Sequence, residues 1–439
     1  MQHIDTLIHA GWIIPVEPEG KILSQHSIAI NDGIIVSILP TSKAVGEYSA
    51  RVTHRLPAHV LTAGFINAHT HAAMNLFRGY ADDLPLMEWL NDWIWPAEKK
   101  WVNPDFIADG TRLAIAEMLM SGTTCFNDMY FFPDITGKVV AEAGIRATLG
   151  MIVIDFPSAW AQDANEYLEK VDEVYNKFHH HDLIRTALAP HAPYSVSDEP
   201  LEQVLSLSEK YDVPVHMHIH ETLSEVTHAE QKDNCRPLER LNNLGLLNER
   251  LLAVHMTQVT AEEIDLLAEK KVNIVHCPHS NLKLASGFAP VKDYMDNGIN
   301  VALGTDSAAS NNNLDILAEM RLAALLAKGV SQNAGAVSAA QALTMATLNG
   351  AKALGISDIT SSLKIGKSAD ITALNLGVLV NQPFYDPLSH LVYSCSRDQI
   401  TDVWVAGKHL LKDRNLTTIN ARALKAKTFE WRHKISNNR

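Results

Sequence analysis

The chain has 439 residues, 46% of them hydrophobic and 20% charged, which is enough apolar material for a large core. Its formal charge of -13 argues against a nucleic acid or an anionic membrane surface as partner and favours a small, uncharged or cationic ligand. Four scattered cysteines (Cys125, Cys235, Cys277 and Cys395) have no CxxC spacing, which excludes a disulfide framework and a zinc ribbon. With no signal-peptide pattern and no run approaching ~18 apolar residues, the expectation is a cytoplasmic protein, and nothing stands against a homo-oligomer.

Residues 1–58 hold short β-like runs broken by turns, at 5–8, 11–16, 27–31 and 33–38, which predict a small antiparallel sheet. From Leu61 the rhythm changes to strand, loop, helix, strand. Eight strand candidates follow, at 61–71, 123–128, 145–155, 183–191, 213–221, 251–255, 272–276 and 299–306, the number a closed (β/α)8 barrel needs. Helices between them are punctuated as expected: Asn103-Pro104 starts one as cap and first turn, and Ser121-Gly122 ends it. After about residue 360 the pattern reverts to β at 368–374 and 399–405, with a closing helix at 421–434. The predicted fold is therefore a TIM-like barrel over 59–360. A small β-sandwich domain is assembled from both termini, 1–58 and 361–439.

In such a barrel the chemistry sits at the C-terminal ends of the strands. Those ends carry His69 and His71, Asp128, Asp155, His191, the run His216, His218, His220 and Glu221, then His255, His276 and Asp306. Packing alone does not select these residues, because a buried unpaired imidazole or carboxylate costs several kcal/mol, on the order of 2–7 for a neutral polar group. A bound metal explains several at once. Strand side chains alternate, so His69 and His71 project on one side, and imidazoles with one carboxylate suit Zn²⁺, or Fe²⁺ as the alternative.

On the segments GFINAHTHAAMNLFRGYADDLPLMEWL, PHAPYSVS, HMHIHETLSE, VHMT, HCPHSNLKLASG and LGTDSAASNNNLD, the chain resembles the amidohydrolase superfamily. Within it the likeness is to the 5'-methylthioadenosine/S-adenosylhomocysteine deaminases and their chlorohydrolase relatives. The resemblance implies one divalent metal on His69, His71, His218 and Asp306. It implies proton handling by Glu221 and His255, with Asp306 taking a proton from the attacking water, and substrate contacts at Glu88, His191, Glu221 and Ser310. His216, His220, His276 and His279 match no role; His216 and His220 read as packed structural residues. The tryptophans Trp89, Trp93, Trp95 and Trp101 read as packing before they read as a stacking platform.

The implied activity is hydrolytic deamination of an adenosine derivative. The stretch 149–169, where relatives that take S-adenosylhomocysteine place arginines, has no cation here, which favours the uncharged 5'-methylthioadenosine. Alternatives on the same fold are S-adenosylhomocysteine, adenosine, another aminated heterocycle, or a chlorinated triazine. A non-catalytic scaffold is disfavoured by the intact set of ligating and proton-handling residues.

Overall fold

The computed structural model describes residues 1–437. Among the described residues, sixteen strands form two sheets of eight. The first sheet takes β1 (Gln2–Ile14), β2 (Leu23–Asn31), β3 (Ile34–Pro40) and β4 (Tyr48–Ala63) from the N-terminal end. The second is entirely parallel, in chain order: β5 (Phe65–Thr70), β6 (Thr123–Tyr130), β7 (Arg146–Val153), β8 (Ile184–Pro190), β9 (Val215–Ile219), β10 (Leu251–His255), β11 (Asn273–His276) and β12 (Val301–Leu303). The chain then returns to the first sheet with β13 (Ile371–Asn375), β14 (Ile400–Val405), β15 (Lys408–Lys412) and β16 (Asn415–Leu416), and ends on the helix Ala421–Ser436.

The first sheet is mixed, not purely antiparallel as its turn spacing suggested, because β1 pairs with β4 in parallel as well as with β2 in antiparallel. Its halves fold over one another. The β2–β3 turn at Gly33 meets the β14–β15 turn at Gly407, where a Cβ on Gly33 would lie 2.6 Å from the Ala406 carbonyl oxygen. Both termini thus close one small domain around buried Ile8, Ile28, Ile30 and Trp404.

The run read as a first barrel strand from Leu61 is divided. Leu61 to Ala63 finish β4, and the chain crosses into the barrel at Gly64, where a Cβ would fall 2.1 Å from the Thr124 side chain. Periodicity could not show this division, since both halves are buried and apolar. The barrel closes between its first and last strands: the Asp306 amide donates to the His69 carbonyl at 3.0 Å, and Thr305 exchanges hydrogen bonds with the Asn67 side chain. Helices cover the outside, capped as their sequences dictate; the Asn103 side chain accepts from the amides of Asp105 and Phe106 at the start of Pro104–Met120. Among the described residues no helix is long and apolar enough to cross a membrane.

Candidate active site

The strand β5 carries an irregularity that sets up the site. Asn67 pairs with Phe126 and Thr70 with Asp128, so three steps on β5 meet two on β6. Such a bulge re-aims the side chains beyond it. His69 and His71 then both face the barrel axis, and Gly304 on the neighbouring strand end lets His69 in, since a Cβ there would lie 2.7 Å from that of His69.

The four residues His69, His71, His218 and Asp306 converge, with one donor atom from each inside a sphere of contacts no longer than 4.8 Å. His69 Nε2 and His71 Nε2 lie 3.3 Å and 3.2 Å from Asp306 Oδ1, and His218 Nε2 lies 3.2 Å from His69 Nε2. The other nitrogen of each ring is already engaged. His71 Nδ1 is 2.5 Å from the Met129 carbonyl, His218 Nδ1 is 2.8 Å from the His191 carbonyl, and His69 Nδ1 is 2.8 Å from His216 Nε2. Three Nε2 lone pairs and one carboxylate oxygen therefore meet at a point, the donor set and count a tetrahedral or five-coordinate zinc-type ion requires. Asp306 is prepared as an anion. Burial opposes its ionisation, but the hydrogen bonds and charges of His69 and His71 hold it well below the usual carboxylate range, and Oδ2 accepts from Ser280 and Ser310 at 2.6 Å and 2.8 Å.

Beside this group, the Glu221 carboxyl is pushed well above its ordinary range by burial first and then by the charges of Asp306 and Glu225. Its backbone is held from below, because Glu225 accepts from the amides of His220 and Glu221 at 3.0 Å and 2.7 Å, with His220 at a φ of 51°. His255 Nε2 lies 3.7 Å from Glu221 Oε2. Burial lowers the His255 imidazole to about 3, and the Asn281 amide donates to its Nδ1 at 2.9 Å, so the neutral ring carries its proton on Nε2, toward the site.

An inner cavity of about 80 Å³ lies over this cluster, lined by His71, His191, His218, Glu221, His255 and Asp306. Leu86, Trp95, Phe156 and Tyr194 form walls it shares with an outer cavity of about 550 Å³. His191, expected as a substrate contact, lies in the inner wall; its Nδ1 pairs with Ser195 at 2.9 Å, and burial lowers it to about 3. Two expected substrate contacts are placed elsewhere. Glu88 is exposed and lines neither cavity. Ser310 is buried beneath the site, where its hydroxyl is spent on Asp306 and Ser307.

The carboxylate that does reach the cavity is Glu98. It is pushed up to about 7 by burial, and the Tyr130 hydroxyl donates to it at 2.7 Å. A signal for it existed in the sequence: Leu86, Leu90, Ile94 and Glu98 stand four apart, so one carboxylate interrupts an apolar helical stripe, and all four line the inner cavity. Trp89 and Trp95 also line it, whereas Trp93 and Trp101 pack against the core. The remaining histidines have structural surroundings. His220 Nε2 accepts from the Leu238 amide, His279 Nδ1 sits 2.9 Å from the buried Glu319 carboxylate, and His276 is fully enclosed. Asp128 and Asp155 tie down loops through the amides of Ala72 and Ser197.

The profile of the amidohydrolase family matches residues 60–410. A 5-methylthioadenosine/S-adenosylhomocysteine deaminase of Teredinibacter turnerae is 45% identical, over 98% of each chain. A 5'-deoxyadenosine deaminase of Methanosphaera stadtmanae is 44% identical over 81% of this chain and 83% of its own. Among solved structures, an adenosine deaminase from Xanthomonas campestris with bound zinc superposes with a TM-score of 0.98 at 48% identity, covering 99% of both chains. An atrazine chlorohydrolase of Arthrobacter aurescens, at 23% identity and a TM-score of 0.91 over 97% of this chain and 99% of its own, shares the fold. With the barrel, the small two-ended domain and the convergent histidines and aspartate already in place, these matches establish that the chain is a member of the amidohydrolase family.

Proposed function

We propose that this protein hydrolytically deaminates an adenosine derivative, 5'-methylthioadenosine before others, releasing ammonia and the corresponding inosine. The observation that carries the reading is the convergence, in one cavity, of three imidazoles and the Asp306 carboxylate beside Glu221, whose carboxyl burial pushes up while His69 and His71 hold that of Asp306 down. A zinc-type ion held by His69, His71, His218 and Asp306 supplies Lewis acidity that draws the pKa of water toward ~7.

The chain's own groups supply the rest. Glu221 gives its proton to ring N1 as the water oxygen adds to C6. Asp306 accepts a proton from that water and passes it to the amino group, which leaves C6 as ammonia, while the remaining hydroxyl proton returns to Glu221 as the C6 carbonyl forms. His255 directs its Nε2 hydrogen at the oxygen on C6 and steadies the charge that develops there. Glu98, fixed by Tyr130, takes the ribose hydroxyls, and His191 borders the purine. The apolar walls Trp89, Trp95 and Phe156 receive the methylthio group. Free, mostly buried thiols suit the reducing cytoplasm as the place of action.

A second reading extends the substrate to S-adenosylhomocysteine. The argument from the cation-free stretch 149–169 concerned only part of the lining; His228 and Lys232 also line the outer cavity, and Lys232 is exposed. A carboxylate-bearing tail could meet its cation there. The test is kcat/KM of zinc-loaded protein for 5'-methylthioadenosine, S-adenosylhomocysteine and adenosine, followed by the adenine-to-hypoxanthine absorbance change and by ammonia. Preference for methylthioadenosine supports the leading reading and preference for the homocysteine derivative the second. Inertness toward all three with zinc bound overturns both.

A further inference from the structure

We infer that His216 is a positioning residue for the metal site: it accepts the Nδ1 hydrogen of His69 and so holds the His69 Nε2 lone pair toward the ion. The inference rests on the reading of His69 as a ligand.

A neutral imidazole carries one proton, and which nitrogen has it decides whether the ring can ligate through the other. For His69 the nitrogen facing His71, His218 and Asp306 is Nε2, so Nδ1 must hold the proton. In a fully buried ring that N–H needs an acceptor. His216 Nε2 is that acceptor, at 2.8 Å. The opposite arrangement, with His216 donating, would place the His69 proton on Nε2 and point it into the ligand cluster.

The three ligand imidazoles are not anchored alike. His71 and His218 give their Nδ1 hydrogens to the carbonyls of Met129 and His191, which belong to the backbone at the ends of β6 and β8. Only His69 relies on a side chain. Sequence reading assigned His216 to packing because it matches no ligand; yet it stands two before His218, and two residues along a strand is the same face. His216 therefore points inward with His218, one step deeper in the barrel, and its ring centroid lies 4.9 Å from that of His69 at an interplanar angle of 78°. Its exposure is nil and the bond to His69 is the ring's sole polar contact among the described residues; accepting at Nε2 leaves the His216 Nδ1 proton without a partner, a cost that fixing the His69 lone pair on the ion must outweigh. A side chain placed for packing alone would be apolar there, as its neighbours Leu252 and Val254 on β10 are.

The test compares two replacements by zinc affinity, measured by chelator competition, and by the visible spectrum of the Co²⁺-substituted protein. His216→Gln keeps an acceptor oxygen near the Nε2 position; His216→Met fills similar volume without one. We expect His216→Met to weaken zinc binding roughly 10- to 100-fold and alter the Co²⁺ spectrum, with His216→Gln within about threefold of the parent. Should His216→Met not fold, His216→Leu takes its place in the comparison. Equal zinc affinity in both variants, whether retained or lost, overturns the proposal. His69→Ala serves as the reference: if it too keeps zinc, the ligand reading itself fails, whereas zinc lost in His69→Ala but kept in His216→Met refutes only the role of His216.

Discussion

Two clusters of buried charge lie in this molecule, and they are built on opposite plans. Between the barrel and the small domain, Asp370 accepts from Arg146 Nε at 3.0 Å, Thr360 Oγ1 at 2.6 Å, Ser368 Oγ at 2.9 Å and the Ala406 amide at 2.6 Å. Arg146 in turn donates to the Asp182 carbonyl and to Ser368. Every strong acceptor of that carboxylate is answered from within the protein. At the other cluster the outward nitrogens are answered, while three Nε2 atoms and Asp306 Oδ1 are turned toward each other. Lone pairs crowded together call for a cation; a carboxylate ringed by donors does not. Burial alone thus fails to separate a site from a strut, and the direction of the lone pairs separates them.

The comparison is broken most severely by removing a ligand. Asp306→Asn or His69→Ala should abolish both zinc retention and turnover, a loss of more than about 10³-fold in kcat, with the fold kept; metal analysis and circular dichroism check it. Metal retained with full turnover would dissolve the distinction drawn above. Next comes Glu221→Gln, which should leave zinc in place and lower kcat by roughly 10²- to 10⁴-fold, as expected for loss of a general acid. A normal rate in that variant would exclude Glu221 as the proton source.

The strut should respond in the reverse sense. Arg146→Met leaves Asp370 buried without its cation and should cost about 3–5 kcal/mol of stability in denaturant unfolding, with zinc content and KM of the surviving folded protein unchanged. Its pH dependence has a definite sign. Burial would raise the Asp370 carboxyl, but the Arg146 charge and hydrogen bonds hold it below its ordinary value, so its contribution is present above the unfolded carboxylate pKa of ~3.9 and is lost as pH falls through the lower, folded value. A stability curve for the parent that rises on acidification through that window would contradict this. The smallest effect belongs to Lys232→Gln, which belongs to neither cluster. It should raise KM for S-adenosylhomocysteine about three- to tenfold while leaving methylthioadenosine unchanged, and steady-state kinetics on the two substrates decides it.

Much of this could be read from the chain in advance, for identifiable reasons. The strand ends of the barrel are short, buried and apolar until their last residues, so His69, His71, His218, His255 and Asp306 stood out as chemistry against a uniform background. Glu88 and Glu98 stood out less, because both lie in a stretch where a short α-helix, a π-helical turn and a second α-helix follow one another; side chains there drift from the 3.6-residue period, and only the four-residue spacing from Leu86 picks out Glu98. Ser310 followed Asp306 at the spacing of one helical turn, which brought its hydroxyl to the carboxylate rather than to the cavity.

By itself the sequence determined the number of barrel strands, the two-ended small domain, and the residue types available for metal and proton chemistry, since periodicity and residue identity are local properties. Only the tertiary structure decided which of those residues share a partner. The answer of His216 to His69 joins positions 147 residues apart, the crossing at Gly64 depends on Thr124, and the bulge in β5 is a property of its pairing with β6. Hydrogen-bond direction and strand register exist only between segments, and no single segment carries them.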